Sequence, residues 1–323
     1  MSEPYDPQSS AASSIQSAAG PMGFGQVIDR TYRLMRAHFR LFFGIAAVPS
    51  AGIFLFAAAI LTTMIEMFSS QMAGGKIPPA EVANWFTLVF LIGEPILLVI
   101  FVFYLPAALY TCTRADLGIT VTLREAYRSA FEHFFRYLWL AILSSLYVFV
   151  PIAVLAGMIV AGMLGLRHQV ESAAGSSSVY LLIPLLVLLY VCIMVYSIYI
   201  SLRLALAFPA SVEENLPAWS SVKRSAQLTC GAKGRMLLVM LVVYAVTYGV
   251  ELICVTALAA VAALVALGAM MAHVAVGSPA FITLVSLGVL GYLLVIVATT
   301  LFGYAAFTTA LAVIYHDQRL RKD

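Results

Sequence analysis

Along most of this chain apolar residues run together instead of alternating with polar ones. Six hydrophobic stretches lie at about 41–66, 84–112, 136–165, 179–210, 236–268 and 280–315, separated by short polar connections. A hydrocarbon core ~30 Å thick takes ~20 apolar residues of α-helix to cross. Each stretch is long enough, and the pattern predicts an all-α integral membrane protein with six transmembrane helices.

Ahead of the first, third and fifth stretches the pattern changes to apolar positions spaced three and four apart, the signature of a two-sided helix. The first such segment places Phe24, Ile28, Tyr32, Met35, Phe39 and Phe42 on one side and Arg30, Arg33, Arg36 and Arg40 on the other. The second opens with Thr122 and Glu125 at the spacing of a capping box, then sets Leu123, Tyr127, Phe131, Phe134 and Leu138 against Arg124, Arg128 and Arg136. In the third, after the helix-starting Pro217, the apolar line is Trp219, Val222, Ala226 and Cys230, with Lys223 and Arg224 turned away. Residues 1–22 are rich in Ser, Ala and Pro without an apolar signal core, and read as a disordered polar tail. The first span then serves as the insertion signal.

Amphipathic segment, span, short loop and return span recur at about 24–118, 119–216 and 217–323, units of 95, 98 and 107 residues. The expected organisation is therefore one six-span membrane domain over 23–323, built from three repeated units that all enter the membrane in the same sense.

Composition agrees with this class: 63% of residues are hydrophobic and 10% charged, with mean hydropathy +0.99. Such a chain is not water-solvated. The net charge of +3 carries less information than its placement. Sixteen of the eighteen Lys and Arg residues fall in the N-terminal segment, the two even-numbered connections and the C-terminal end; Lys76 and Arg167 are the exceptions. Cations near span ends stay on the cytoplasmic side, which predicts that both termini are cytoplasmic and that the protein resides in the plasma, that is bacterial inner, membrane. Without clustered cations interleaved with stacking aromatics, nucleic acid is not expected as a partner. Cys112, Cys192, Cys230 and Cys254 form no CxxC or Cys/His cluster, and no metal or other cofactor is expected.

The stretch from Arg203 through Pro209 to Glu213 and Glu214, followed by Ser221-Val-Lys-Arg224-Ser225-Ala-Gln-Leu228-Thr229, resembles the signature region of the membrane domain found in some bacterial glycerophosphoryl diester phosphodiesterases. The opening Asp29-Arg30-Thr-Tyr32-Arg33-Leu34 and the ending Tyr315-His-Asp317-Gln-Arg319-Leu-Arg321 look like the ends of the same family. In long members of that family hydrolysis belongs to an appended soluble barrel with metal-binding carboxylates. No such barrel lies within these residues, so the resemblance implies a shared membrane module without hydrolase activity.

Chemistry inside a bilayer is first sought at its ionisable residues, since a charge there is costly unless paired or hydrated. Glu94, preceded by Gly93 and followed by Pro95, lies in span two; Glu251 lies in span five; Arg203 lies near the cytoplasmic end of span four, within reach of Glu213 or Glu214. Glu94 and Glu251 are candidates to line one hydrated cavity. The plainer alternative is a hydrogen bond from each to a neighbouring hydroxyl, with Tyr244, Thr247 and Tyr248 at helical spacing from Glu251. Pro106 and Pro209 are expected to kink the return helices, and the small-residue stretches at Gly157 and Ala259–Ala263 suit tight helix packing.

The amphipathic segments fit an interfacial collar, the apolar side sunk to the acyl boundary and Arg30, Arg33, Arg36, Arg40, Arg124, Arg128, Lys223 and Arg224 placed to contact headgroups. Those cations also suit the simpler role of fixing topology. The function expected is a non-enzymatic membrane module associated with membrane lipids, anionic headgroups in particular, or with a membrane or cytoplasmic protein partner. The alternative is a transporter or channel using Glu94 and Glu251. No HExxH, GxSxG, P-loop or paired-aspartate motif supports an enzyme.

Overall fold

The computed structural model describes residues 22–72, 79–170, 176–274 and 278–323. Among them are six long helices: α2 (Phe39–Met72), α3 (Pro79–Asp116), α5 (Phe134–Val170), α6 (Ser176–Leu204), α9 (Lys233–Met271) and α10 (Pro279–Lys322). Each has an apolar stretch long enough to cross a membrane. Four short helices, α1 (Phe24–Ala37), α4 (Leu123–Glu132), α7 (Ala207–Glu213) and α8 (Ala218–Thr229), lie between or before them. The chain is all-α among the described residues. Residues 1–21 of the expected tail, and Lys76, lie outside them. Met22, expected to end that tail, is instead packed, its N–H donating to Asp317 Oδ1 at 2.8 Å.

The described residues form two compact units, one of residues up to 134 together with 238–323, the other of 135–237. In the first unit α10 packs on α1, α2 and α3, while α4 rests on α2 and α3. Its core lies at the cation-rich end of the helices, where Ile45 and Ala46 of α2 meet Tyr104, Ala107 and Ala108 of α3 and Ala126 and Ala130 of α4. The last turns of α10 complete it: Ala305, Ala306, Ala310 and Tyr315 are each no more than 1% exposed. Farther along the spans burial thins. In α9 no residue of the most apolar eighteen-residue stretch is buried, so Ala259–Ala263, suited to packing by composition, is exposed. At Gly157 of α5 an added Cβ would likewise meet nothing. Lipid tails are as apolar as leucine, so no hydrophobic force draws such surfaces together.

The stripe that the amphipathic helices bury coincides only in part with the one their largest residues mark: Met35 and Phe42 are buried as expected, but other members of that side are not. In α1 the buried line is Val27, Thr31 and Met35, whereas Phe24 is 39% exposed and Phe39, the first residue of α2, 53%. In α4 it is Ala126 and Ala130, with Phe131 70% exposed. In the second unit α8 buries Ala218, Ser221, Ser225 and Leu228 and leaves Trp219 outward. Small and hydroxyl-bearing side chains let backbones approach closely, and that contact decides the face where lipid can solvate the rings. Tyr127 of α4 anchors by its head group instead: its hydroxyl donates to the Ile45 carbonyl at 2.8 Å, and burial pushes the phenol up to about 12.

In the second unit, Leu140 of α5 packs with Ala207 and Ala218, and α8 packs on α6 and α7. The fourth span, expected as continuous over 179–210, is broken at Ala205–Leu206. Pro209 has no N–H to donate to the Ala205 carbonyl, and its ring excludes that carbonyl from a helical position. As the third residue of α7 it occupies a position whose N–H would have no intrahelical partner in any case. Pro106, by contrast, lies inside an unbroken α3.

Candidate functional site

In the first unit a cleft of about 390 Å³ runs between α3, α9 and α10. Helical periodicity builds each wall. On α9, Tyr244, Thr247, Tyr248 and Glu251 recur at three- and four-residue steps and so share one face. On α10, Thr299, Thr300, Gly303, Tyr304 and Phe307 do the same, and α3 contributes Phe101 and Tyr104. Gly303 permits the close approach of α9 to α10: a Cβ there would stand 2.8 Å from Cγ2 of Thr247.

The aromatic rings form two connected groups. Phe101 lies 5.3 Å from Tyr304 and 6.2 Å from Tyr104 between centroids, both edge-on, and Tyr104 is 5.4 Å from Tyr304. Opposite, Tyr244 lies 5.8 Å from both Tyr248 and Phe307. The buried Tyr104 hydroxyl is held by donating to the Tyr304 carbonyl at 2.7 Å. The threonine hydroxyls donate back to their own helices: Thr247 to the Val243 carbonyl at 2.9 Å, Thr299 to Val295 at 2.9 Å, Thr300 to Ile296 at 2.7 Å. Their remaining capacity is as acceptors. Among the described residues no Lys, Arg or His lines the cleft.

Glu251 is half-buried at one end of this wall, and its carboxyl group has no hydrogen-bond or ion-pair partner among the described residues. Tyr244, Thr247 and Tyr248, the neighbours that helical spacing offered, do not hydrogen-bond to it. Glu94 does not line this cleft. It is exposed on α3, also without a hydrogen-bond or ion-pair partner among the described residues. The helix runs unbroken through Pro95, and Gly93 serves close packing, since a Cβ there would collide with the ring of Phe56 on α2. The cleft thus brings Glu251 together with tyrosines from three helices, and the other glutamate stands elsewhere.

The collar residues divide into engaged and free cations. Arg30 donates from one guanidinium nitrogen to both oxygens of Asp116 at 2.7 Å, and Arg224 pairs with Glu214 at 3.0 Å. Arg33 reaches only to 3.9 Å from Asp29, both highly exposed, and Arg128 pairs with Glu132 at 3.2 Å on the surface. Lys223 sits 5.8 Å from the Trp219 ring. Arg36, Arg40 and Arg124 are exposed and pair with no carboxylate among the described residues. Arg203 is exposed as well and pairs with neither Glu213 nor Glu214; Glu214 is taken by Arg224, and the Arg203 carbonyl accepts from Ser225 Oγ at 2.7 Å.

Position on one α9 face was readable for Tyr244, Thr247, Tyr248 and Glu251. Tyr104 and Tyr304, two hundred residues apart, carried no signal of their meeting. Among the described residues no group of three or more His, Cys, Asp or Glu is placed to hold a metal ion. No family model matches the chain, nor does any curated protein or solved structure.

Proposed function

We propose that this protein is a non-enzymatic module of the bacterial inner membrane, with both termini cytoplasmic, whose basic collar engages anionic lipid headgroups. The observation that carries this reading is the pairing of free cations with outward aromatic and aliphatic side chains on the short helices and their junctions. Arg36 and Arg40 flank the exposed Phe39, and Arg124 adjoins Leu123, 43% exposed, on the same helix as the exposed Phe131. Cations beside side chains able to sink to the acyl boundary are what an anionic interface selects, each cation contributing ~1 kcal/mol near the surface. Arg30 and Arg224, engaged in ion pairs, act as internal struts of the collar.

In this reading the module comprises three units of amphipathic helix plus two spans, at about 24–118, 119–216 and 217–323. The element order, with a short helix ahead of each pair of long ones, supports that grouping. So does the resemblance of the segments around Asp29–Arg33, Arg203–Thr229 and Tyr315–Arg321 to the membrane domain of glycerophosphoryl diester phosphodiesterases.

The test is to purify the full chain in lipid discs excised directly from the membrane and to identify the retained lipids by mass spectrometry. Enrichment of an anionic lipid, lost when Arg33, Arg36, Arg124 and Arg128 are together changed to Gln, supports the collar. Equal lipid profiles for both proteins overturn it. The alternative of a transporter or channel is favoured by the unpartnered Glu251 in its cleft. It would show as solute or proton flux in proteoliposomes that Glu251→Gln or Glu94→Gln abolishes.

A further inference from the structure

We infer that the cleft between α3, α9 and α10 is a binding site for a lipophilic organic cation, an ammonium or comparable onium centre carrying an apolar body. This inference is independent of the lipid collar.

Three features of the cleft select positive charge. Glu251 supplies a carboxylate without a partner among the described residues, and a carboxylate inside an apolar span calls for a counter-charge. Tyr244, Tyr248 and Tyr304 with Phe101 and Phe307 line the same space, and their ring faces attract cations. The hydroxyls of Thr247, Thr299 and Thr300 have spent their protons on backbone carbonyls and present lone pairs. Among the described residues the lining combines a carboxyl group, aromatic rings and hydroxyl lone pairs and contains no Lys, Arg or His, so it offers no fixed positive charge to repel a cation.

Size and composition then separate an organic cation from an inorganic one. A tightly held metal ion is usually ligated by several His, Cys, Asp or Glu side chains, and no group of three or more of these is placed to hold one among the described residues. About 390 Å³ is far more space than a dehydrated ion fills and lies within the range of small-molecule pockets. Most of the lining is aromatic or aliphatic, suited to the body of an amphiphilic ligand. Tyr248 is 60% and Tyr244 45% exposed, so the cleft is open along its α9 wall.

The experiment measures equilibrium binding of radiolabelled tetraphenylphosphonium to the purified full chain in lipid discs, alongside labelled triphenylphosphine oxide, a neutral compound of similar bulk. We expect saturable binding of the cation and none of the neutral compound. Glu251→Gln should weaken cation binding at least tenfold, Tyr304→Leu by about fivefold, and Tyr304→Phe by less than twofold because the ring remains. Variants are compared only after matching wild type by gel filtration. The comparison of charged with neutral ligand on the unmodified protein decides the question even if a variant does not fold. Absence of saturable cation binding, equal binding of the neutral compound, or full affinity in a folded Glu251→Gln protein each overturns the inference.

Discussion

Arg30 and Asp116, 86 residues apart in the chain, form an ion pair at 2.7 Å that fixes α1 to the last turn of α3. The guanidinium belongs to the helix whose other two cations, Arg33 and Arg36, face outward, so one arginine of three has become structural. Its side chain is 33% exposed and that of Asp116 23%, so solvent screens part of the attraction. Arg30→Gln or Asp116→Asn should each lower stability by about 1 kcal/mol. The double substitution should cost no more than the larger single one, because the second change removes a partner already idle. A double-mutant cycle on thermal unfolding in detergent checks this; strictly additive losses would show that the pair contributes nothing as a pair.

A second fastening joins the two ends of the described chain. Asp317, its side chain 2% exposed, accepts from the Met22 N–H at 2.8 Å and from Arg321 Nε at 3.0 Å, while Arg321 Nη2 donates to the Met22 carbonyl at 2.8 Å. Asp317→Ala removes the acceptor of the Met22 N–H and of Arg321 Nε at once and leaves, of these bonds, only that from Arg321 Nη2 to the Met22 carbonyl. The loss should be about 2 kcal/mol, below that of a fully buried pair because Arg321 can turn towards water. Release of the entry to α1 should show as faster proteolysis around residues 22–30 at unchanged resistance of α2 and α3.

The six spans were legible because hydrocarbon imposes its demand one helix at a time: length and hydropathy suffice without knowledge of any neighbour. Which face of a short helix packs was not. In α1 the chain carries two usable stripes, the large one through Phe24, Ile28 and Tyr32 and a second through Val27 and Thr31, and the buried line follows the second before taking in Met35, the one member of the expected apolar side that it includes. Water would have penalised exposure of the rings; a bilayer does not, and close backbone approach decides instead. The cleft was half legible on the same grounds. Glu251 and its tyrosines share a face by periodicity alone, but its opposite wall depends on which helices become neighbours, and hydropathy carries no information about that. Glu94 shows the converse, an acid conspicuous in sequence that the packing leaves apart.

The start of α4 offers a pH test. Thr122 Oγ1 accepts from the Glu125 N–H at 3.3 Å, and the Glu125 carboxylate accepts from the Thr122 N–H at 2.9 Å. These bonds, the backbone one first, hold the Glu125 carboxyl below its usual range. A carboxyl depressed in the folded state contributes stability above its unfolded value, and that contribution disappears as pH falls through the folded value. Amide exchange in the first turn of α4 should therefore accelerate relative to α1 below about pH 4.5, the ordinary glutamate value. In Glu125→Gln, which keeps the acceptor without the titration, the acceleration should vanish. Identical acid responses in the two proteins would remove the capping box from the account.

Orientation rests on where the arginines are, and it is open to direct measurement. The turn from Leu117 to Thr122 joins α3 to α4, with Gly118 at φ +73° closing it. Around it in sequence stand Arg114, Arg124 and Arg128, among the sixteen cations that the expected topology puts on one side of the membrane against two on the other. Inverting the protein would carry all sixteen across the membrane against both the potential and the retention of basic loops. A fluorescent-protein fusion ending at Gly118 should therefore be bright, and an alkaline-phosphatase fusion at the same point inactive. Fusions ending at Lys76 should behave in the opposite way. Because each hairpin crosses twice, a fusion at Gly231 should repeat the result at Gly118. Phosphatase activity at either glycine would reverse the assignment of the collar to the cytoplasmic face and, with it, the choice of anionic inner-leaflet lipid as its ligand.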